Sequence, residues 1–302
     1  MCKKTIAAGL ALALALSFAG CSGDTSNETS TPSGTQNTTT NAPTTTVGKE
    51  EQSQFQETVL VDNEDLLFKI TEIVNDPVWG YTLKAQIENR TEKDLMFSLN
   101  EVSVNGYMCD PYFAITVTAG MKANKDISFH ADDFKQSGIQ NVTDIEFELR
   151  VYDSKDFTAD EVLEEDFVIY PQGKETAKEY PRESQEGDIV LFDNESCTMI
   201  VTGFDPDSIW GFSAKVYLVN KTDDTLMFAV GDAAVNGFMC DPYFATTVAP
   251  GKQCVTAISW TKSALAENNI TTVESITLPL RVYEADDWTG DDLINETFTV
   301  KP

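Results

Sequence analysis

A single histidine in 302 residues leaves little material for imidazole acid–base chemistry or metal chelation. Basic residues are scarce as well. The 21 Lys+Arg stand against 49 Asp+Glu, a formal charge of −28, so binding by phosphate neutralisation is excluded and nucleic acid with it. Gly-x-Ser-x-Gly, a phosphate loop and His-x-x-x-His are all absent, so neither an enzyme nor a cofactor is expected. The apolar stretch from Ile6 to Leu16 is shorter than the ~20 residues that cross a bilayer. What is present is length enough for two ordinary domains.

The N-terminus reads as an export signal over residues 1–20, with Lys3 and Lys4 ahead of the apolar stretch. It ends on Phe18-Ala19-Gly20-Cys21, which resembles the lipobox of bacterial lipoproteins, with Phe18 where that family usually has Leu. The resemblance implies that Cys21 is lipidated and becomes the first mature residue, which makes the membrane a partner through the lipid. Loss of Lys3 and Lys4 takes the charge from −28 to −30. Of the 26 residues from Ser22 to Val47, 14 are Ser or Thr, and no large apolar residue precedes Val47. Such a segment cannot bury enough surface to order itself, so 21–57 is expected to be a disordered tether holding the rest outside the cell.

The largest feature is a duplication. Residues 62–171 align with 193–302 at a constant offset of 131 without a gap, with 41 identities in 110 positions. This predicts a module over 58–171, a semi-flexible polar linker over 172–187, and a second module over 188–302.

Each copy carries the period of two that marks half-buried strands, as in Trp79, Tyr81, Leu83, Ala85 and Ile87, with Trp210, Phe212, Ala214, Val216 and Leu218 in the second. That parity puts Trp79 and Trp210 on the buried side. One helical turn per copy is expected, with Asp132 and Ser263 as N-caps and Gly138 and Asn269 at the C′ position. About seven short strands with one small helix argue for an all-β chain of two tandem immunoglobulin-like β-sandwiches. Through the segment Lys84 to Phe97, the Gly120 to Phe129 strand and Leu149-Arg150-Val151-Tyr152, the copies resemble the telokin-like, immunoglobulin-like modules of bacterial surface lipoproteins. The resemblance implies a fold and no activity.

Three sets of residues are candidates for function. The run Val104 to Ala114 recurs as Val235 to Ala245 with only Tyr107 changed, to Phe238. It reads either as a plug closing one end of the sandwich or as a recognition surface made by Tyr107, Tyr112 and Phe113 with Phe238, Tyr243 and Phe244. Asp153, Asp156, Asp160 and Glu161 match Glu284, Asp287, Asp291 and Asp292. They read as a solvated loop facing Arg150 and Arg281, or as oxygen ligands for Ca²⁺ without EF-hand spacing, and no metal is assigned. Cys109 and Cys240 occur in both copies and read as small buried residues. Cys197 and Cys254 occur only in the second copy, where strand parity turns both inward, and could form a disulfide in an oxidising compartment.

The expectation is a noncatalytic, lipid-anchored protein of the cell surface whose tandem modules bind wall polymer, glycan or protein. The alternative is a structural spacer or accessory subunit of an envelope complex with no ligand of its own.

Overall fold

The computed structural model describes residues 55–76 and 78–302. The export signal, Cys21 and all of the tether before residue 55 lie outside the described residues. Among the described residues no helix is long and apolar enough to cross a membrane.

The first copy holds β1 (Thr58–Asp62), β2 (Leu66–Asp76), β3 (Gly80–Asn89), β4 (Leu95–Val104), β5 (Tyr107–Met108), β6 (Ala114–Val117), β7 (Lys122–Phe129), α1 (Ala131–Gln136), β8 (Ile145–Asp153) and β9 (Leu163–Ile169). The second holds β10 (Ile189–Asp193), β11 (Cys197–Ser208), β12 (Gly211–Asn220), β13 (Leu226–Val230), β14 (Ala234–Val235), β15 (Phe238–Met239), β16 (Ala245–Val248), β17 (Gln253–Thr261), α2 (Lys262–Glu267), β18 (Ile276–Glu284) and β19 (Ile294–Val300). Among the described residues the chain is all-β apart from short helical turns.

In the first copy the order β1-β2-β3-β7 forms one sheet, and β9-β8-β4 with β6 on the far side of β4 forms the other. Alternate residues of each sheet, Leu83, Ile87 and Ile127 on one and Phe97, Leu149 and Val151 on the other, are fully buried in one core. Phe68 and Phe97 meet across it at 6.4 Å. The second copy repeats the plan around its own core, with Trp260 and Phe228 at the centre.

One buried polar device recurs in both. The Asn89 amide donates to the carbonyls of Lys93 and Val117 at 2.7 and 2.8 Å while its oxygen accepts from the Thr91 amide and hydroxyl. Asn220 does the same with Asp224, Val248 and Thr222. Each Asn thereby satisfies a turn and a neighbouring strand that would otherwise leave orphaned backbone groups.

Both helical turns start two residues earlier than the sequence pattern indicates. The N-cap positions are His130 and Thr261 rather than Asp132 and Ser263, because β7 and β17 run straight into the turns, and the Thr261 hydroxyl accepts from the Ala264 amide. Gly138 and Asn269 do adopt the left-handed conformation just past the helix ends, at φ 70° and 55°.

The two copies are not joined semi-flexibly. β5 pairs with β17 in parallel at Tyr107 and Gln253, so one sheet runs from the first copy into the second. The Tyr180 carbonyl of the connecting segment accepts from the Tyr107 hydroxyl at 3.2 Å and from the Gln253 amide side chain at 3.0 Å. Arg182 grips Asp188 through two bonds of 2.7 Å and lies over the Tyr217 ring, while Lys252 pairs with Glu146 at 2.6 Å. Polar composition marked 172–187 as a linker, but the Tyr180 carbonyl binds side chains of both copies and Arg182 is held by the second.

Candidate functional site

Strand parity fails at Trp79 and Trp210. β3 and β12 begin one residue later, at Gly80 and Gly211, so each Trp belongs to the preceding turn and stands exposed, at 57% and 67%. The turn is built to hold it there. The Asp76 carboxylate accepts from the Val78 and Trp79 amides, both at 2.8 Å, and these bonds hold its carboxyl below the ordinary carboxylate range. Gly80 has φ +78°, and a Cβ there would meet the Phe129 carbonyl at 2.6 Å; at Gly211 the matching distance, to the Trp260 carbonyl, is 2.3 Å. Only glycine lets the Trp-bearing turn close onto β7 or β17.

Tyr112 arrives at the same end of the module by another route. Its amide donates to the Ser128 carbonyl on β7 at 3.0 Å, and Tyr243 repeats this with Ser259 at 2.8 Å. Beneath them the Thr82 and Ser128 hydroxyls bond at 3.1 Å, as Ser213 and Ser259 do at 3.0 Å. Tyr112 and Tyr243 are therefore anchored through their backbones with their rings outside, at 60% and 75% exposure. Trp79 and Tyr112 both line two adjoining clefts of about 400 and 410 Å³. One is bounded by Lys125, Asp126 and Ser128, the other by Asp76 and His130, whose ring meets Tyr112 edge-on at 4.5 Å. In the second copy Thr256, Ala257 and Thr261 stand where Lys125, Asp126 and His130 do, so the aromatic pair is shared and the polar rim is not.

The remaining aromatics of the repeated run divide. Phe113 packs edge-on against Phe68 in the first core, and Phe244 packs on the second. Tyr107 is buried and Phe238 exposed, because β5 is covered by the second copy while no other described strand than β14 pairs with β15. The run is thus neither wholly a plug nor wholly a surface. Parity along a strand could not separate Tyr112 from Phe113 in a segment that holds only one isolated bridge.

The acidic sets lie elsewhere. Asp153 pairs with Lys93, near the Asn89 end of β3, about 30 Å along that strand from Trp79. Arg150 binds Glu161, and Arg281 binds Asp292 at 2.7 Å. Asp156 accepts from the Thr158 amide and hydroxyl, and Asp287 accepts from the Thr289 hydroxyl. Asp160 and Asp291 lie on the same loops, as does Glu284 at the end of β18. Among the described residues no three carboxylate, thiol or imidazole side chains gather as a metal would need.

The Cys197–Cys254 bridge does not form. Both thiols are free, and β11 and β17 flank β12, with Cys197 opposite Asn220 and Cys254 opposite Leu218. Two strand spacings separate them by about 9–10 Å before the offset along the strands, beyond the reach of a disulfide. Inward parity held for both, but they lie on non-adjacent strands. Burial pushes the Cys109 and Cys254 thiols up to about 12 and Cys197 up to about 11, so none is a thiolate at neutral pH.

No family model and no curated protein matches the chain.

Proposed function

We propose that the chain is a noncatalytic binding protein of the cell surface, lipid-anchored at Cys21, whose two immunoglobulin-like modules recognise a glycan, wall polymer or protein through their aromatic tips. The observation that carries this reading is the repeated display of Trp79 with Tyr112 and of Trp210 with Tyr243. An exposed Trp keeps apolar surface in water at a cost that a single occurrence could leave to chance, but here a carboxylate-braced or hydroxyl-braced turn, an obligatory glycine and a backbone-anchored Tyr recur at one place in both copies. Flat rings beside hydroxyl, amine and carboxylate groups suit a ligand with apolar faces and polar edges. Two such tips on one body raise avidity for a repeating polymer.

The spacer reading draws support from Tyr107, Phe113 and Phe244, which are committed to packing. A glycan array and a pull-down with the 51–302 unit decide between the two. Binding is expected to fall at least about tenfold in Trp79→Ala with Tyr112→Ala, and further when Trp210→Ala and Tyr243→Ala are added. Binding untouched by all four substitutions sinks the site, and no binding on either platform favours the spacer.

A further inference from the structure

We propose that the chain associates head to tail with further copies of itself, the β14–β15 hairpin of one copy docking on the β7 edge of the next. The geometry is already present once inside the molecule. There the Gln253 amide donates to the Gly106 carbonyl at 3.0 Å, Tyr107 sits opposite Gln253, and Met108 packs on the second core. The duplication supplies the same two surfaces again, and among the described residues both are left uncovered.

On the donor side the equivalents of Gly106, Tyr107 and Met108 are Gly237, Phe238 and Met239. Tyr107 is 5% exposed, while Phe238 and Met239 are 52% and 62% exposed. On the acceptor side the equivalents of Lys252, Gln253, Cys254 and Val255 are Met121, Lys122, Ala123 and Asn124. Cys254 is buried and the other three of the first set half-buried, whereas Met121, Lys122 and Asn124 are exposed and Ala123 half-buried. Every position of the inner footprint is thus more exposed in the copy that lacks a neighbour. Two adjacent exposed apolar residues on a hairpin tip, Phe238 and Met239, and an exposed Met121 on a sheet edge are what an unfilled interface looks like.

Charge favours a second copy as the occupant. Exposed Asp232 and Asp241 flank the donor tip, and Lys122 and Lys125 lie on the acceptor edge; these charges take over from the inner Lys252–Glu146 pair, whose equivalents are the uncharged Met121 and Thr277. Donor and acceptor are different surfaces, so the contact is heterologous and does not close after two copies. The inner contact gains from being intramolecular and from the Tyr180 clamp, so the contact between chains is weaker and depends on crowding at a surface.

Sedimentation of the 51–302 unit, which carries both cores, over about 1 µM to about 1 mM tests this. The mean mass is expected to rise with concentration past that of a dimer. Phe238→Lys with Met239→Lys disables the donor, and Lys122→Pro disables the acceptor by removing an edge amide at the first residue of a strand, where proline is tolerated. Each variant alone is expected to stay monomeric with unchanged circular dichroism, and an equimolar mixture of the two to form a dimer and nothing larger. A wild-type chain monomeric throughout, association surviving in either variant, or a mixture that fails to pair overturns the proposal.

Discussion

The Gln253 amide donates to the Gly106 carbonyl at 3.0 Å, joining two residues that belong to different copies of one duplicated module. Because Tyr107 follows Gly106 and is nearly sealed from solvent, this contact commits the two copies to a single body. Truncating a buried aromatic costs about 3–5 kcal/mol, and here the loss falls on the joint between the cores. Tyr107→Ala is expected to split a single denaturant transition into two, measured by Trp fluorescence against circular dichroism. A single shifted transition would show that the joint does not couple the copies.

The Arg182–Asp188 pair makes that joint sensitive to acid. Hydrogen bonds from the guanidinium hold the Asp188 carboxyl below the ordinary carboxylate range. A group depressed in the folded state stabilises above its unfolded pKa, ~3.9, and that contribution is lost as pH falls through the folded value. The melting temperature of Asp188→Asn should therefore lie below wild type at neutral pH, with the gap closing below about pH 4. A gap that stays constant down to pH 2 would refute the assignment.

Gly80→Ala and Gly211→Ala test how the exposed tryptophans are held. Each new methyl group collides with a backbone carbonyl at a positive φ, a strain of about 1–3 kcal/mol. Both variants are expected to melt lower than wild type and to change acrylamide quenching of Trp fluorescence, since the turn must open to make room. The same change at Gly120, which has open space around it at φ +69°, should leave quenching alone.

Asn89→Ala and Asn220→Ala strip the partners from two backbone carbonyls each, and buried groups left unpaired cost about 1–3 kcal/mol apiece. Either change is expected to lower stability by about 2–6 kcal/mol in urea. Exposed Asn124→Ala should cost under about 0.5 kcal/mol.

Thiol reactivity checks the cysteine geometry. Cys109, Cys197, Cys240 and Cys254 are all free and half-buried or buried, so maleimide should label the native 51–302 unit slowly and all four thiols after denaturation. A mass shift of fewer labels in denaturant would bring back a disulfide.

The duplication, the all-β class and the helix ends at Gly138 and Asn269 were legible in the sequence, because periodicity of two and left-handed caps are local properties of the backbone. Parity also placed Leu83, Ile87, Leu149 and Val151 in the core. Parity misplaced Trp79 and Trp210, since alternation carries no information about where a strand stops and its turn begins. It also turned Cys197 and Cys254 inward without saying that β12 separates them.

The sequence by itself determined two copies of one strand pattern and an acidic exterior, since both follow from residue order and composition. Only the tertiary structure decided that Tyr107 is buried while Phe238, its counterpart, is exposed. The physical reason is that exposure belongs to a residue's neighbours: the two positions share a local sequence, and just one of them has a β17 beside it.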